Sequence, residues 1–170
     1  MTRRPASRPC AQSGQTDPAI GGSGLTLGTS IYTLEGCLPI EYLLPGDRII
    51  TRDAGSVRLR AVRHRRVRLT PVLVSASSLG FDRPEEAISM LPEQAILVRD
   101  WRAEALFGET RAIVPVRRMI DGQYIRWDTG PRSLDIFTLD LGAAHIAYAD
   151  GVEVLCPLPA PAAGPETMRA

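Results

Sequence analysis

The sequence has no lysine: all 20 of its basic residues are arginine, they meet 19 acidic residues, and the formal net charge is +1. A chain this balanced exerts no global pull on a polyanion. The missing lysine itself reads as the coding bias of a high-GC genome rather than as a chemical device. Cysteine is scarce too. Cys10, Cys37 and Cys156 are odd in number with no paired spacing, which argues against a disulfide framework and a zinc site. His64 and His145 are too few and too far apart in sequence for a metal centre, so no metal and no cofactor is expected. Aromatic residues make up only 5% of the chain, and Trp101 and Trp127 are read as core or rim residues, each with one polar N–H to satisfy. No stretch reaches the ~18 apolar residues that a membrane span needs. What is present is a 44% hydrophobic chain of 170 residues, enough for one sizeable core and one domain.

The ends differ from the middle. Residues 1–23 are rich in Arg, Pro, Ser, Gln and Gly with almost no apolar run. They read as a disordered tail, and despite Arg3 and Arg4 they lack the apolar core of a secretory signal. Residues 157–170, PLPAPAAGPETMRA, read as a second, Pro/Ala-rich disordered tail. The domain is therefore placed at 24–156. Nothing marks a compartment, and the expectation is a soluble protein of the cytoplasm with no membrane partner.

The middle is patterned for β-structure. Short runs rich in Val, Ile and Thr fall at 29–33, 48–51, 57–69, 72–75, 95–98, 112–116, 124–127, 134–139, 146–148 and 153–155. Turn residues recur between them, as in Asp53-Ala54-Gly55, Asp121-Gly122 and Asp128-Thr129-Gly130. Only 38–44 and 101–107 could form helical turns. Many short strands at close spacing imply an all-β sandwich or barrel-like fold.

Four blocks of sequence carry a more specific signal. Residues 24–51, GLTLGTSIYTLEGCLPIEYLLPGDRIIT, contain Leu25, Thr26, Gly28, Thr29, Thr33, Gly36 and Leu43 ahead of a Pro45-Gly46-Asp47 turn. Residues 91–98 read LPEQAILV; 101–115 read WRAEALFGETRAIVP and lead to a turn at Met119 to Gly122. The last block combines IFTL at 136–139 with AHIAYADG at 144–151. In this order and spacing the blocks, spanning roughly 24–156, resemble a bacterial Hint domain, the self-cleaving module shared by hedgehog proteins and inteins. The resemblance implies an all-β Hint fold, a flattened, horseshoe-like assembly of curved β-hairpins with pseudo-twofold symmetry. No sequence repeat supports that symmetry.

The resemblance also implies a chemistry, to be compared position by position. In an active member a Cys at the head of the first block attacks the preceding carbonyl to form a thioester. A His in the second block protonates the departing amide nitrogen. Here Gly24 stands at the nucleophile position and has no side chain, and Gln94 stands at the acid position, where its amide cannot titrate near neutral pH. Thr138 replaces the first His of the last block and Ala144 the second. His145 is displaced by one residue and, in a strand, points to the opposite face. Removing a nucleophile alone costs about a million-fold in comparable covalent catalysts. The reading is a degenerate, inactive autoprocessing domain that keeps a binding or structural role, with a protein partner of unknown kind. Only 23 residues precede the domain, so no sizeable released segment is expected.

The alternatives are a weak autoprocessing protein and a polyanion binder. In the first, cleavage falls before Ser23 or Gly24, with Ser23 as the fallback nucleophile and Thr26 two residues beyond Gly24. The bland reading of Gly21-Gly22-Ser23-Gly24 is a flexible lead-in. Cys37 reads as a packed or exposed thiol after a hairpin turn, Cys156 as apolar filling, and Cys10 could act only between molecules. In the second alternative, six arginines lie between Arg58 and Arg68 with His64 among them, while the other 14 face 19 acids. Such a row could contact phosphates. Alternation, however, puts Arg58 and Arg60 on the solvated face of one strand, and no aromatics flank them to stack on bases, so nucleic acid is not expected as a partner. Asp47 is assigned to holding its turn by accepting from backbone N–H groups.

Overall fold

The computed structural model describes residues 22–159, so Cys10 and nearly all of both expected tails lie outside the described residues. The chain runs through β1 (Leu25–Thr26), β2 (Ser30–Thr33), β3 (Gly36–Pro39), β4 (Arg48–Thr51), β5 (Gly55–Arg58), β6 (Ala61–Leu69), β7 (Val72–Val74), β8 (Ile88–Met90) and β9 (Ala95–Val98). It continues through α1 (Trp101–Phe107), β10 (Ala112–Pro115), β11 (Ile125–Trp127), β12 (Arg132–Asp140), β13 (His145–Ala149) and β14 (Val152–Cys156). All pairings are antiparallel, in three sheets: β1-β12-β6; an eight-stranded sheet ordered β10-β9-β14-β13-β2-β4-β5 with β3 on β2; and β11-β7-β8.

Local chemistry explains the turns. β13 and β14 join through Asp150-Gly151, both at positive φ (50° and 79°), as the two-residue turn that matches strand twist requires. In the Pro45-Gly46-Asp47 turn the Asp47 carboxylate accepts from the Leu44 N–H at 2.8 Å, the expected role. Asp100 caps α1 by accepting from the Arg102 N–H, and Gly108 ends it in the left-handed region at φ 72°.

Alternating residues of the strands supply one core, including Ile31, Ile49, Val72, Val74, Ile96, Ala147 and Val154, all wholly buried. One buried charge is matched: Glu153 on β14 accepts from Arg52 at 2.8 Å and is gripped by both donors of the Arg99 fork at 2.8 and 2.9 Å.

Two expectations need correction. The single run at 57–69 is two strands in two sheets. β5 pairs with β4, then Leu59 turns into the core (1% exposed), and Arg60 donates to Asp140 O as β6 begins its nine-residue pairing with β12. Arg58 and Arg60 therefore do not share a strand face. Of the two readings given to the tryptophans, core or rim, the core one falls. Trp101 is 71% and Trp127 46% exposed, because each sits on the outward side of a peripheral element; the Arg102 guanidinium lies 5.5 Å from the Trp101 ring. The strands β1, β3 and β8 were not anticipated.

Candidate functional site

β1 lies along β12, with Leu25 opposite Phe137 and Thr26 opposite Ile136, and β6 lies on the far side of β12 with Arg65 opposite Ile136 and Arg63 opposite Thr138. Directly opposed residues of antiparallel strands share a face. Thr26, Ile136, Thr138, Arg63 and Arg65 therefore face the same way, and Gly24, two residues before Thr26, joins them. Gln94, in the turn before β9, reaches this face from the eight-stranded sheet.

Gln94 is 1% exposed and fully bonded. Its Oε1 accepts from the Gly24 N–H at 2.9 Å and from the Ser23 hydroxyl at 3.3 Å. Its Nε2 donates to the carbonyls of Ala95 and Leu155, both at 2.9 Å. Since two carbonyls can only accept and a backbone N–H can only donate, the amide can adopt just this orientation. The side chain thus stitches the start of β1 to β9 and β14.

On the other side of the same peptide bond, Arg65 Nη2 donates to the Ser23 carbonyl oxygen at 3.2 Å. Its Nε is buried with no partner, and among the described residues Arg65 meets no carboxylate. Burial lowers its pKa, but a guanidinium stays cationic in a protein. The Ser23–Gly24 peptide is therefore held at both ends, its oxygen by a cation and its N–H by an amide oxygen.

Gly24 itself is buried, at φ 147°, where side chains are rarely tolerated. A Cβ built there would lie 2.3 Å from Ile136 Cγ2 and 3.6 Å from Thr138 Oγ1. A cavity of about 10 Å³ adjoins Gly24 and shares Thr26, Thr29, Ile88, Ser89 and Asp150 with a groove of about 620 Å³.

Sequence comparison decides what kind of domain carries this arrangement: the profile of the Hint domain family matches residues 23–157. The chain belongs to the Hint domain family. This Hint domain also resembles solved structures. It is similar to a DnaB intein from Synechocystis sp. PCC 6803 at 13% identity, covering 79% of this chain and 99% of that one with a TM-score of 0.50. A bacterial intein-like domain from Clostridium thermocellum is 16% identical over 79% of this chain and 98% of that one, with a TM-score of 0.48. No curated protein sequence matches the chain.

Of the residues singled out in the sequence, the fold brings Ser23, Gly24, Gln94 and Thr138 together. Ala144 stands apart, exposed in the turn before β13. His145, the first residue of β13, is paired by Nδ1 to the Asp53 carboxylate at 2.7 Å, which also accepts from the Ile146 N–H. Cys37 is exposed, whereas Cys156 is buried, and that burial pushes its thiol up to about 12. Among the described residues no group of three His, Cys, Asp or Glu side chains could hold a metal ion, and no helix is long and apolar enough to cross a membrane.

The arginine row divides by face. Arg66 forks onto Asp135 at 3.0 and 3.1 Å, His64 Nε2 pairs with the same carboxylate at 2.8 Å, and Arg65 turns the other way, to Ser23. Arg65 is the site residue that sequence reasoning missed. Its only sequence signal was membership of the basic run, which does not reveal contact with a peptide 42 residues earlier.

Proposed function

We propose that this is a Hint domain without self-cleavage, in which the former processing site serves as a clamp that docks the lead-in peptide and leaves the protein a binding or structural role. The observation that carries this reading is the fit around Gly24. In the family a thiol at this position attacks the Ser23 carbonyl; here no side chain exists, and a Cβ would overlap Ile136 Cγ2 at 2.3 Å. Gln94 supports it from the other direction. An acid must give a proton to the Gly24 nitrogen, but the Gln94 atom facing that nitrogen is an oxygen accepting from it. All of Gln94's hydrogen-bonding capacity is committed to holding the backbone.

Cleavage through Ser23 is the second reading, because its hydroxyl does touch Gln94. That contact is a donation to an amide oxygen, which is not basic enough to take the proton a hydroxyl nucleophile must lose. Polyanion binding is disfavoured by Asp135, whose carboxylate pairs with the Arg66 guanidinium and the His64 ring on the outward face of β6.

The test is the intact mass of freshly purified protein, with and without hydroxylamine or a strong thiol. The 18.5 kDa chain is expected to stay whole. A fragment beginning at Ser23 or Gly24 overturns the reading, and the fragment's first residue names the nucleophile.

A further inference from the structure

The Ser23 carbonyl has a partner that the clamp alone does not need. Gln94 already anchors this peptide through its N–H, and β1 is paired to β12 immediately after it. Yet a half-buried guanidinium from a different sheet edge is spent on the carbonyl oxygen. Burying a guanidinium without a carboxylate costs free energy, and Arg65 does so with its Nε left unpartnered. The geometry bringing it there is specific. β6 is an edge strand, Arg65 is opposite Ile136, and Ile136 is opposite Thr26, so the guanidinium extends across Ile136 to reach Ser23, two residues ahead of β1.

We propose that Arg65 is the oxyanion-stabilising residue of this domain, its guanidinium polarising the Ser23 carbonyl, and that it persists although the nucleophile does not. The inference rests on reading Gly24 as the nucleophile position. Charge develops on a carbonyl oxygen when a nucleophile adds to its carbon, and a fixed cation already at hydrogen-bond distance stabilises that charge without reorganising. At 3.2 Å the Nη2–O contact is somewhat long for the planar carbonyl. In the full addition, a thiolate at residue 24 would form a bond to the Ser23 carbon and push the electron pair onto the oxygen facing Arg65. Collapse would break the carbon–nitrogen bond, and the nitrogen would take a proton from an acid at residue 94, leaving a thioester and a free amine.

Two measurements test this. In the full-length wild-type chain, the ¹³C chemical shift of the Ser23 carbonyl reports its polarisation. Arg65→Met is expected to move it upfield and Arg65→Lys to restore part of the shift, while carbonyls of β9 and β14 stay in place. An unmoved Ser23 carbonyl overturns the proposal. The second uses the Gly24→Cys, Gln94→His, Ile136→Ala triple variant, in which the nucleophile and acid are supplied and the overlapping methyl is removed. Adding Arg65→Met is expected to slow thiol-released cleavage at residue 24 by about 10²- to 10³-fold, with Arg65→Lys intermediate, whereas equal rates overturn it. A triple variant that never cleaves counts against the reading of Gly24, and the carbonyl shift then decides Arg65 by itself.

Discussion

Replacing Gln94 by methionine isolates the clamp, because methionine nearly preserves the side chain's length and volume while deleting its hydrogen bonds. The structure sets the magnitude. The variant leaves the Gly24 N–H and the Leu155 and Ala95 carbonyls without the partner they now have, in surroundings where Gln94 is 1% exposed. Each orphaned buried group costs about 1–3 kcal/mol, and the carbonyls can recover part of that through neighbours, so the net loss is about 3–5 kcal/mol. For a folded unit of this size each kcal/mol moves the melting midpoint by roughly 3–5 °C, which makes the expected drop about 10–20 °C. Thermal and urea unfolding measure it, the urea slope staying constant if the native state is otherwise intact. Hydrogen exchange adds a local readout, in which the Gly24 amide speeds up more than the amides of β13. A midpoint shift below about 3 °C, with Gly24 exchange unchanged, would refute the argument that Gln94 ties the lead-in to the sheets.

Three further predictions follow from the same geometry. Gly24→Ala should lower stability by roughly 2–4 kcal/mol through the Ile136 overlap and the strained φ, whereas Gly28→Ala, also at positive φ but facing open space, should cost only about 1 kcal/mol; chemical denaturation compares the pair. Asp121 accepts from the N–H groups of Gln123, Tyr124 and Ile125; burial raises its pKa, these donors outweigh that, and the net value lies below the ordinary range. Its contribution is therefore complete above the unfolded-state value of about 3.9 and fades as pH falls through the folded one. The urea midpoints of wild type and Asp121→Ala should accordingly differ by a constant amount from pH 7 to about pH 5 and converge below about pH 4. In a Cys10→Ser background at pH 8, a thiol reagent should label Cys37 at once and Cys156 only as fast as the protein opens; prompt labelling of both would contradict the burial of β14.

Local signals were legible wherever a residue's job is done by its neighbours in sequence. The helix at Trp101–Phe107 coincides with its expected bounds because Asp100 and Gly108 are cap residues at the right offsets. The strands Arg48–Thr51 and Ala95–Val98 also coincide, each bounded by turn chemistry. What escaped was set by distant partners. Nothing in 57–69 marks where pairing passes from β4 to β12, since apolar and basic residues alternate on both sides of Leu59. β3 escaped, although a hairpin turn was expected before Cys37, because 38–44 also allowed a helical turn, and β8 because Ile88-Ser89-Met90 is only three residues long. At the site, the family blocks placed Gly24, Gln94 and Thr138 in correspondence before any geometry was known. They could not show that Gln94 would satisfy four partners, that Gly24 would lie at φ 147°, or that Arg65 would reach the Ser23 carbonyl.

The close fit at Gly24 has a historical consequence as well as a structural one. With Ile136 Cγ2 occupying the space a side chain would need, and the backbone settled where only glycine is comfortable, every single substitution at residue 24 starts from a folding penalty. A lineage could regain a side chain there only after Ile136 shrank or the strand shifted, and neither change would be favoured in advance. Gln94 adds a second lock, since exchanging it for a titratable residue gives up its hydrogen bonds to the Ala95 carbonyl on β9 and the Leu155 carbonyl on β14. On the function proposed above, each first step back to a nucleophile at residue 24 or an acid at residue 94 starts from a folding penalty.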